Sequence, residues 1–425
     1  MPNSATAVAV KPKNNTATQS INNVSSPAFQ TISGFCPFSF RKFQNGDPVR
    51  PRVGGVQYCT SDGFEQWLDS INSSLVFSSY GLNALFLLGI NPEGKLAISH
   101  DAFRNCMGLQ VDGHQLHLAT VNQILSFRQQ STDDQVQQAE NHGPFYVHAT
   151  THTVGSLHTH DLVCNASGEV LFVNTHYNCL ATVSQTASFK AVWKPPFITD
   201  IAYGDRCHLN GVAMVNHKPR YVTTISDSNQ VGDWRNHREN GGCLIDVENN
   251  EILLKGLSMP HSPRWYQGKL WLHNSGTGEF GYIDNLDGNP TFQPIASCPG
   301  FLRGLTFHQN YAIVGTSAPR DQLFADLAWS RNLFQQDNNP GCGLLVIDLE
   351  TGAIIHWLYL GNRPKWDNIS DCHSPATPKM EAAAKAQAQK FQLYDVQLIA
   401  GIKNPSLISA RSKSLEHHIS FESLV

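Results

Sequence analysis

The sequence of 425 residues contains few charged residues, and their two signs are nearly balanced. Asp, Glu, Lys and Arg make up 15% of it, against about 25% in an ordinary soluble protein. The formal net charge of −4 supplies no basic field that would hold nucleic acid or an anionic membrane. Such a composition disfavours long solvated helices and favours many short strands joined by turns.

Several motifs of known chemistry are also missing. No run of 18 apolar residues occurs, so the sequence predicts no membrane-spanning helix. The ten cysteines include no C-x-x-C pair, which excludes a zinc ribbon and a thioredoxin-type motif. Neither a phosphate-binding loop nor a G-x-S-x-G nucleophile motif is present. The cysteine pattern and the absence of a recognisable signal peptide predict a reduced protein in the cytoplasm.

The N-terminal region differs in composition from the rest of the chain. Residues 1–34 are rich in Asn, Ser, Thr and Ala, and they cannot bury enough apolar surface to offset the entropy of ordering them. We therefore predict a disordered tail there. Residues 35–74 form an aromatic and proline-containing lead-in, with one short helix predicted at Ser61–Ile71. Short strand-like apolar runs separated by Gly, Asn and Asp begin at Leu75.

An internal repeat decides the predicted fold. Six segments align without gaps, the last more weakly: NCMGLQ from Asn105, HTHDLV from His158, HLNGVA from His208, HSPRWY from His261, FLRGLT from Phe301 and QLYDVQ from Gln392. Each of the first five is followed by a turn and a second β-rich run, and their starts are 40 to 53 residues apart. Units of this length with four strands each are typical of a β-propeller.

The sequence therefore predicts an all-β fold, a six-bladed β-propeller over residues 75–400. The sixth blade would pair C-terminal residues with the N-terminal strands in 75–99, and this closure removes an exposed sheet edge. Two insertions, 318–340 and 360–390, could offer surfaces to a protein partner. Residues 401–425 are predicted as a C-terminal tail.

The repeat also predicts which side chains line the central channel. The first strand of every blade lines a propeller channel, so aligned positions point to the same level of its axis. The first aligned position is occupied in four successive blades by Asn105, His158, His208 and His261. Two residues further along the same strand face lie His160 and Asn210. Together with Asn105, these two are candidates for an additional shell around the site.

Three histidines from adjacent blades, His158, His208 and His261, form the predicted metal site. Neutral imidazole suits Zn, Fe, Cu and Ni, whereas Ca and Mg prefer oxygen ligands. We therefore predict a divalent transition metal as cofactor, with positions open to water, dioxygen or a small-molecule substrate. The alternative is a hydrogen-bonded polar plug around channel waters.

Three charged residues are candidate catalytic residues. Asp161 could orient a histidine through its second ring nitrogen, or it could simply end a strand. Arg264 and Arg303 lie at or beside inner-strand positions. There an arginine fork could anchor a substrate, or it could form a salt bridge between blades. A general base is less obvious, with Asp161 and Glu279 as candidates.

Several stretches of the chain resemble a known family. LHTHDLV, CHLNGVAM, MPHSPRWYQGKLWLHNSGTGEFGYID and PGFLRGLTFHQNYAIVGTS are similar to a bacterial family of conserved hypothetical proteins without an assigned function. The similarity spans about residues 75–400 and implies a propeller, but no activity. A more distant resemblance is to the six-bladed gluconolactonase and strictosidine-synthase group, whose members hold a calcium ion with Glu, Asn and Asp. This chain has His at the aligned positions, so that calcium site is not implied here.

The leading functional hypothesis is a metal-dependent enzyme that acts on a small molecule through the three-histidine site. A nearly all-histidine ligand set suits redox metals as well as zinc, and oxidoreductase or oxygenase chemistry is slightly favoured. Zinc-type hydrolase or lyase chemistry is one alternative. A non-enzymatic binding or scaffold module that uses the propeller faces is the other.

Overall fold

The computed structural model describes residues 52–53, 56–130, 144–317, 327–328, 342–360 and 392–409. The predicted tail 1–34 and most of the predicted insertions 318–340 and 360–390 lie outside these ranges. Within them there are 27 strands, one α-helix and one 3₁₀ helix. The strands form six mostly antiparallel sheets. These sheets are the blades of a β-propeller, so the predicted fold is confirmed.

The predicted lead-in contributes regular structure to the propeller. It contains the strands β1 (Arg52–Val53) and β2 (Val56–Thr60), the helix α1 (Phe64–Ser70) and the start of β3 (Ser73–Ser79). Strand β3 continues through β4 (Ala84–Ile90) to β5 (Leu96–Ala102) in blade 6. The side chains of Phe64, Trp67 and Leu68 on α1 are buried in the core that blade 6 shares with blade 5.

Blades 1 to 4 follow in chain order. Blade 1 comprises β6 (Leu109–Asp112), β7 (Gln115–Ala119), β8 (Gln123–Gln130) and β9 (Phe145–Thr153). Blade 2 comprises β10 (Thr159–Cys164), β11 (Val170–Asn174), β12 (Cys179–Thr182) and β13 (Lys190–Trp193). Blade 3 comprises β14 (Leu209–Val215), β15 (Lys218–Thr224), β16 (Gly242–Asp246) and β17 (Glu251–Leu257), with the 3₁₀ helix Asp233–Asn236 between β15 and β16. Blade 4 comprises β18 (Pro260–Tyr266), β19 (Lys269–Asn274), β20 (Glu279–Asp284) and β21 (Thr291–Ser297).

The two ends of the chain close the ring. Blade 5 comprises β22 (Phe301–His308), β23 (Tyr311–Ser317), β24 (Cys342–Asp348) and β25 (Ile354–Leu360), extended by β2 and β1. Strand β26 (Leu393–Ala400) is the first strand of blade 6 and pairs with β3. The last strand, β27 (Ser406–Ile408), pairs in parallel with β9 of blade 1. The first strands of neighbouring blades contact one another all the way around the channel.

A shared backbone distortion marks the aligned segments. Asn105, His158 and His208, at the first aligned position, have left-handed backbones with φ of 47°, 51° and 53°. In blades 2 to 6 the pairing of the first and second strands shifts register within the aligned segment. Such a shift marks a β-bulge, which re-aims the side chains around it. The alignment made from the sequence therefore joins structurally equivalent residues.

The fourth aligned position alternates between a glycine and a charged residue around the ring: Gly108, Asp161, Gly211, Arg264, Gly304 and Asp395. The glycines allow a close approach of the neighbouring blade. A Cβ on Gly108 would lie 3.0 Å from backbone atoms of Asp161, and one on Gly304 would lie 2.6 Å from the Val396 nitrogen. Small and charged residues therefore interlock at this level of the channel.

This interlocking predicts a position-specific effect of an added methyl group. Gly304 and Gly94 both have a left-handed backbone, with φ of 73° and 72°, but a Cβ on Gly94 would have no atom within 4 Å. Gly94→Ala should cost about 1 kcal/mol of unfolding free energy through backbone strain alone. Gly304→Ala should cost about 1–3 kcal/mol more, because it overpacks the channel. Urea unfolding measures both, and equal losses would contradict the close approach.

Candidate functional site

Histidine side chains meet at the end of the channel where the first strands begin. The ring centroid of His160 in blade 2 lies 4.8 Å from that of His208, just before β14 of blade 3, with the ring planes at 71°. It also lies 5.4 Å from the Tyr394 ring, just inside β26 of blade 6. Because blade 1 separates blades 2 and 6, His160 reaches across the ring toward the axis. Its side chain is almost inaccessible, at 7% exposure.

In His160, His208 and His261, the ring nitrogen Nδ1 is held by an oxygen. The distances from Nδ1 are 2.8 Å from His160 to Asn210 Oδ1, 2.6 Å from His208 to Asp205 Oδ2, and 2.8 Å from His261 to the Met259 carbonyl. The Asn210 amide is oriented by its Nδ2, which donates to the Pro260 carbonyl at 2.9 Å. An imidazole that donates its Nδ1–H keeps Nε2 as the basic nitrogen, as metal ligands and general bases require.

His158 has different surroundings. Its ring stacks on that of His176, with centroids 4.2 Å apart, and is 6.2 Å from the ring of His160. His176 in turn contacts the edge of Tyr203, whose side chain is 67% exposed. His158 therefore belongs to an aromatic group at the outer rim of the channel.

Burial and neighbouring charges set the protonation of the cluster. Burial lowers the pKa of His160 well below its ordinary value, and positive charge on His208, His158 or His261 would lower it further. His160 is therefore neutral at pH 7. Burial by itself would raise the pKa of Asp205, but the charge and hydrogen bond of His208 outweigh it and leave that pKa below its ordinary value. Asp205 is therefore ionised.

Two of the candidate catalytic residues form a buried salt bridge between blades. Arg264 Nη1 lies 2.7 Å from Asp161 Oδ2, and Nη2 lies 2.9 Å from Oδ1. Arg264 Nη2 is also 3.8 Å from Asp395 Oδ1. The carboxylate of Asp161 accepts further hydrogen bonds from the backbone N–H groups of Leu162 and Val212, each at 3.0 Å. This arrangement corresponds to the inter-blade alternative, and a catalytic role for either residue stays a prediction.

Arg303, the third candidate, lies between aromatic rings. Its guanidinium carbon is 5.1 Å from the Phe301 ring centroid and 4.7 Å from that of Tyr394. The side chain is 4% exposed, and within the described residues its Nε has no hydrogen-bond acceptor. Arg303 is thus a buried cation in contact with the same tyrosine that contacts the histidine cluster.

The remaining predicted residues contact neighbouring turns. The backbone N–H of Asn105 donates to Asn83 Oδ1 at 2.7 Å. Glu279 Oε2 accepts a hydrogen bond from the Thr277 hydroxyl at 2.6 Å. In the described part of the chain, no group of three or more His, Cys, Asp or Glu side chains is arranged to hold a metal ion.

Three residues that contact the cluster were not among the predicted site residues. Asp205 precedes His208 by three residues, and the Trp234 ring lies 4.0 Å from the His208 ring. Tyr394 occupies the third position of the weakest aligned segment, and this position was the one available signal. Asp205 and Trp234 lie in connections between strands, to which the repeat gives no alignment.

The sequence matches one family over most of its length. The family described as "Domain of unknown function (DUF4915)" matches residues 62–366. The chain belongs to this family. The predicted resemblance to a family without an assigned function is therefore confirmed, and the matched region contains the histidine cluster. No curated protein matches the sequence. Among the described residues of this family member, no helix has the length and hydrophobicity needed to cross a membrane.

Solved structures similar to this DUF4915 chain include several distant ones. A nidogen/laminin complex aligns with 77% of this chain and 99% of its own, at 10% identity and a TM-score of 0.45. A calcium-binding protein, regucalcin from Agrobacterium tumefaciens strain C58, aligns with 72% and 94%, at 10% identity and a TM-score of 0.39. A putative gluconolactonase aligns with 60% and 87%, at 8% identity and a TM-score of 0.36.

Proposed function

We propose that this protein is an enzyme that acts on a small molecule at the histidine end of the channel. His160, His208 and His261 would hold a divalent transition metal there, although the structure does not arrange them as a ready-made metal site. The observation that carries the proposal is that each of the three imidazoles has Nδ1 held by an oxygen, which leaves its Nε2 as the basic nitrogen. This ligand set replaces His158 of the sequence-based set with His160, because the His158 ring stacks on His176 at the rim.

The separation of two of these rings supports a shared ion. Metal–nitrogen bonds of about 2.0–2.1 Å would put two imidazole centroids about 5 Å apart at a near-tetrahedral angle. The centroids of His160 and His208 are 4.8 Å apart. Charge on His261 would lower the pKa of His160, so His261 lies within electrostatic reach of His160.

Such a metal would act as a redox centre or as a Lewis acid. Oxidoreductase chemistry is our first choice, because the proposed ligand set has three imidazoles and no carboxylate. Zinc-type hydrolysis or lyase chemistry is the alternative for the same ligands. The ionised Asp205 would keep the proton on Nδ1 of His208, and Trp234 covers a face of that ring. Burial keeps His160 neutral and able to bind.

A second candidate function rests on the Asp205–His208 pair. A carboxylate that holds Nδ1–H of a histidine is the arrangement of a general base, whose Nε2 takes a proton from the substrate. The 2.6 Å contact would support a lyase or hydrolase without a metal. A scaffold function would use the insertions, which lie mostly outside the described residues.

We also propose that the protein works in a reducing compartment, the cytoplasm. The support is that all seven cysteines for which the structure describes a state are free thiols, namely Cys106, Cys164, Cys179, Cys207, Cys243, Cys298 and Cys342. Burial raises the pKa of Cys106, Cys298 and Cys342 to about 12, so these thiols are unreactive.

Elemental analysis tests the metal. Protein purified without chelator should contain about one equivalent of a single transition metal. His160→Ala and His208→Ala should each weaken metal binding by at least about tenfold, because each removes a ligand. His114→Ala, at an exposed turn, is the matched control and should keep the metal.

The same experiment separates the alternatives. Metal loss in His158→Ala but not in His160→Ala would restore the sequence-based ligand set. Folded protein that stays metal-free after incubation with iron, copper and zinc salts would overturn the metal site. The general-base function of the Asp205–His208 pair would then be the one to test.

A further inference from the structure

The channel contains two arginines with opposite electrostatic surroundings, of which Arg303 is buried and Arg264 is partly buried. Arg264 in blade 4 has the carboxylates of Asp161 and Asp395 around it. Arg303 in blade 5, one aligned position earlier, has aromatic rings around it and no carboxylate at ion-pair distance within the described residues. Among the described residues, Arg264 is thus compensated by an anion and Arg303 is not.

An unpaired buried charge is costly. Removing an ion from water is strongly unfavourable unless hydrogen bonds or an opposite charge offset the loss, and a guanidinium group does not deprotonate in proteins. Contact with the rings of Phe301 and Tyr394 supplies part of the offset through cation–π attraction. An anion from outside the described residues would supply the rest.

Arg303 contacts two aromatic side chains that also contact the histidines. Tyr394 contacts both the Arg303 guanidinium and the His160 ring. Phe301 contacts both Arg303 and the His261 ring, whose centroid is 5.3 Å from its own. Blades 2 and 5 lie opposite each other in a ring of six, so His160 and Arg303 face each other across the channel.

We propose that Arg303 binds the oxyanion of a small molecule, a carboxylate or a phosphate, whose apolar part packs on Phe301 and Tyr394. The reacting part of such a molecule would lie toward the histidines. This inference rests on the proposed function for its catalytic meaning and names the substrate class for it. Anion binding itself requires no metal, so it can be measured separately.

Isothermal titration calorimetry of the full chain tests the site, with the protein as purified and after dialysis against chelator. Benzoate should bind at least about tenfold more tightly than benzamide, its neutral isostere, because only benzoate can pair with guanidinium. Inorganic phosphate is titrated in a parallel experiment. Stronger binding of benzoate would identify a carboxylate as the natural group, and stronger binding of phosphate would identify a phosphate. Binding of neither anion would overturn the proposal.

Substitutions locate the binding. Arg303→Met should weaken binding of the preferred anion at least about tenfold, and Arg303→Lys should retain part of it, since a charge remains without the two-pronged fork. Arg128→Met, at an exposed arginine in blade 1, is the matched control and should bind as wild type does. Wild-type affinity in Arg303→Met would overturn the site. Anion binding that survives in metal-free protein or in His208→Ala would separate this inference from the proposed metal.

Discussion

Arg264→Met should destabilise the folded protein by about 3–5 kcal/mol, the cost of leaving a buried charge without its partner. Arg264 holds both oxygens of Asp161, whose side chain is 2% exposed. Methionine would fill much of the arginine volume but would leave the Asp161 carboxylate uncompensated and close to Asp395. The midpoint of urea unfolding at pH 7 measures the loss.

Arg303→Met is the matched control, because it makes the same change at the second arginine of the channel. Arg303 has no carboxylate partner among the described residues, so its removal leaves no anion behind. We expect its unfolding free energy to stay within about 1 kcal/mol of wild type or to rise. Comparable losses in both variants would mean that side-chain volume, rather than charge, explains the effect. Adding Asp161→Asn to Arg264→Met should recover part of the loss.

The repeat was sufficient to predict the propeller and the strands that line its channel. Because the repeat has a period of one blade and aligns without gaps, aligned residues occupy equivalent positions in their blades. Asn105, His158 and His208 accordingly share the same left-handed backbone. The closing strand was predictable for the same reason, although QLYDVQ matches the alignment least well. Arg264 and Asp161 were also assigned to the channel, since the alignment gives each residue its level on the axis.

The alignment of the repeat could not predict how the contacts of His158 and His160 differ. Regular strand geometry puts His158 and His160 on the same face, which made both candidates. The left-handed backbone at His158, φ 51°, and the register shift between Thr159 and Leu162 break that regularity. As a result the His158 ring stacks on His176, while the His160 ring contacts His208 and Tyr394.

The repeat could not predict which residues in the connections between strands contact the histidines. Asp205 lies between blades 2 and 3, and Trp234 lies in the 3₁₀ helix between β15 and β16. Their contacts with His208 depend on how each connection folds back over the channel, which strand periodicity does not encode. Orienting a histidine was one of the two roles considered for Asp161, and the carboxylate that contacts a histidine ring nitrogen in the structure is that of Asp205.

The stability of the propeller should fall as the pH rises through neutrality, because of Asp395. Burial raises the pKa of this carboxyl to about 8 from an ordinary value of 3.8, and Asp161 contributes in the same direction. Arg264 and the backbone N–H groups of Leu109 and Val396 oppose the rise without cancelling it. Because Arg264 is a single cation beside two carboxyl groups, it pairs with Asp161, and Asp395 keeps its proton.

The sign follows from the protons that each state binds. Between about pH 5 and 8 the folded chain holds a proton that the unfolded chain has released, so unfolding is favoured by higher pH, by about 1 kcal/mol per pH unit. The decline should end above the folded pKa of Asp395. Burial lowers the pKa of His160 and of His273, so these two groups have the opposite effect on stability. They destabilise the folded state only as the pH falls below about 6.5.

Urea unfolding of wild type and Asp395→Asn at several values between pH 6.5 and 8 isolates this group. Asparagine keeps the shape but carries no titrating proton, so the wild type should lose stability relative to the variant as the pH rises. The comparison cancels the buried thiols, which release protons on unfolding above about pH 8.5 in both proteins. A constant difference across this range would show that Asp395 is ionised throughout. Arg264 would then compensate two carboxylates at once, and the loss in Arg264→Met should exceed that of a single broken pair.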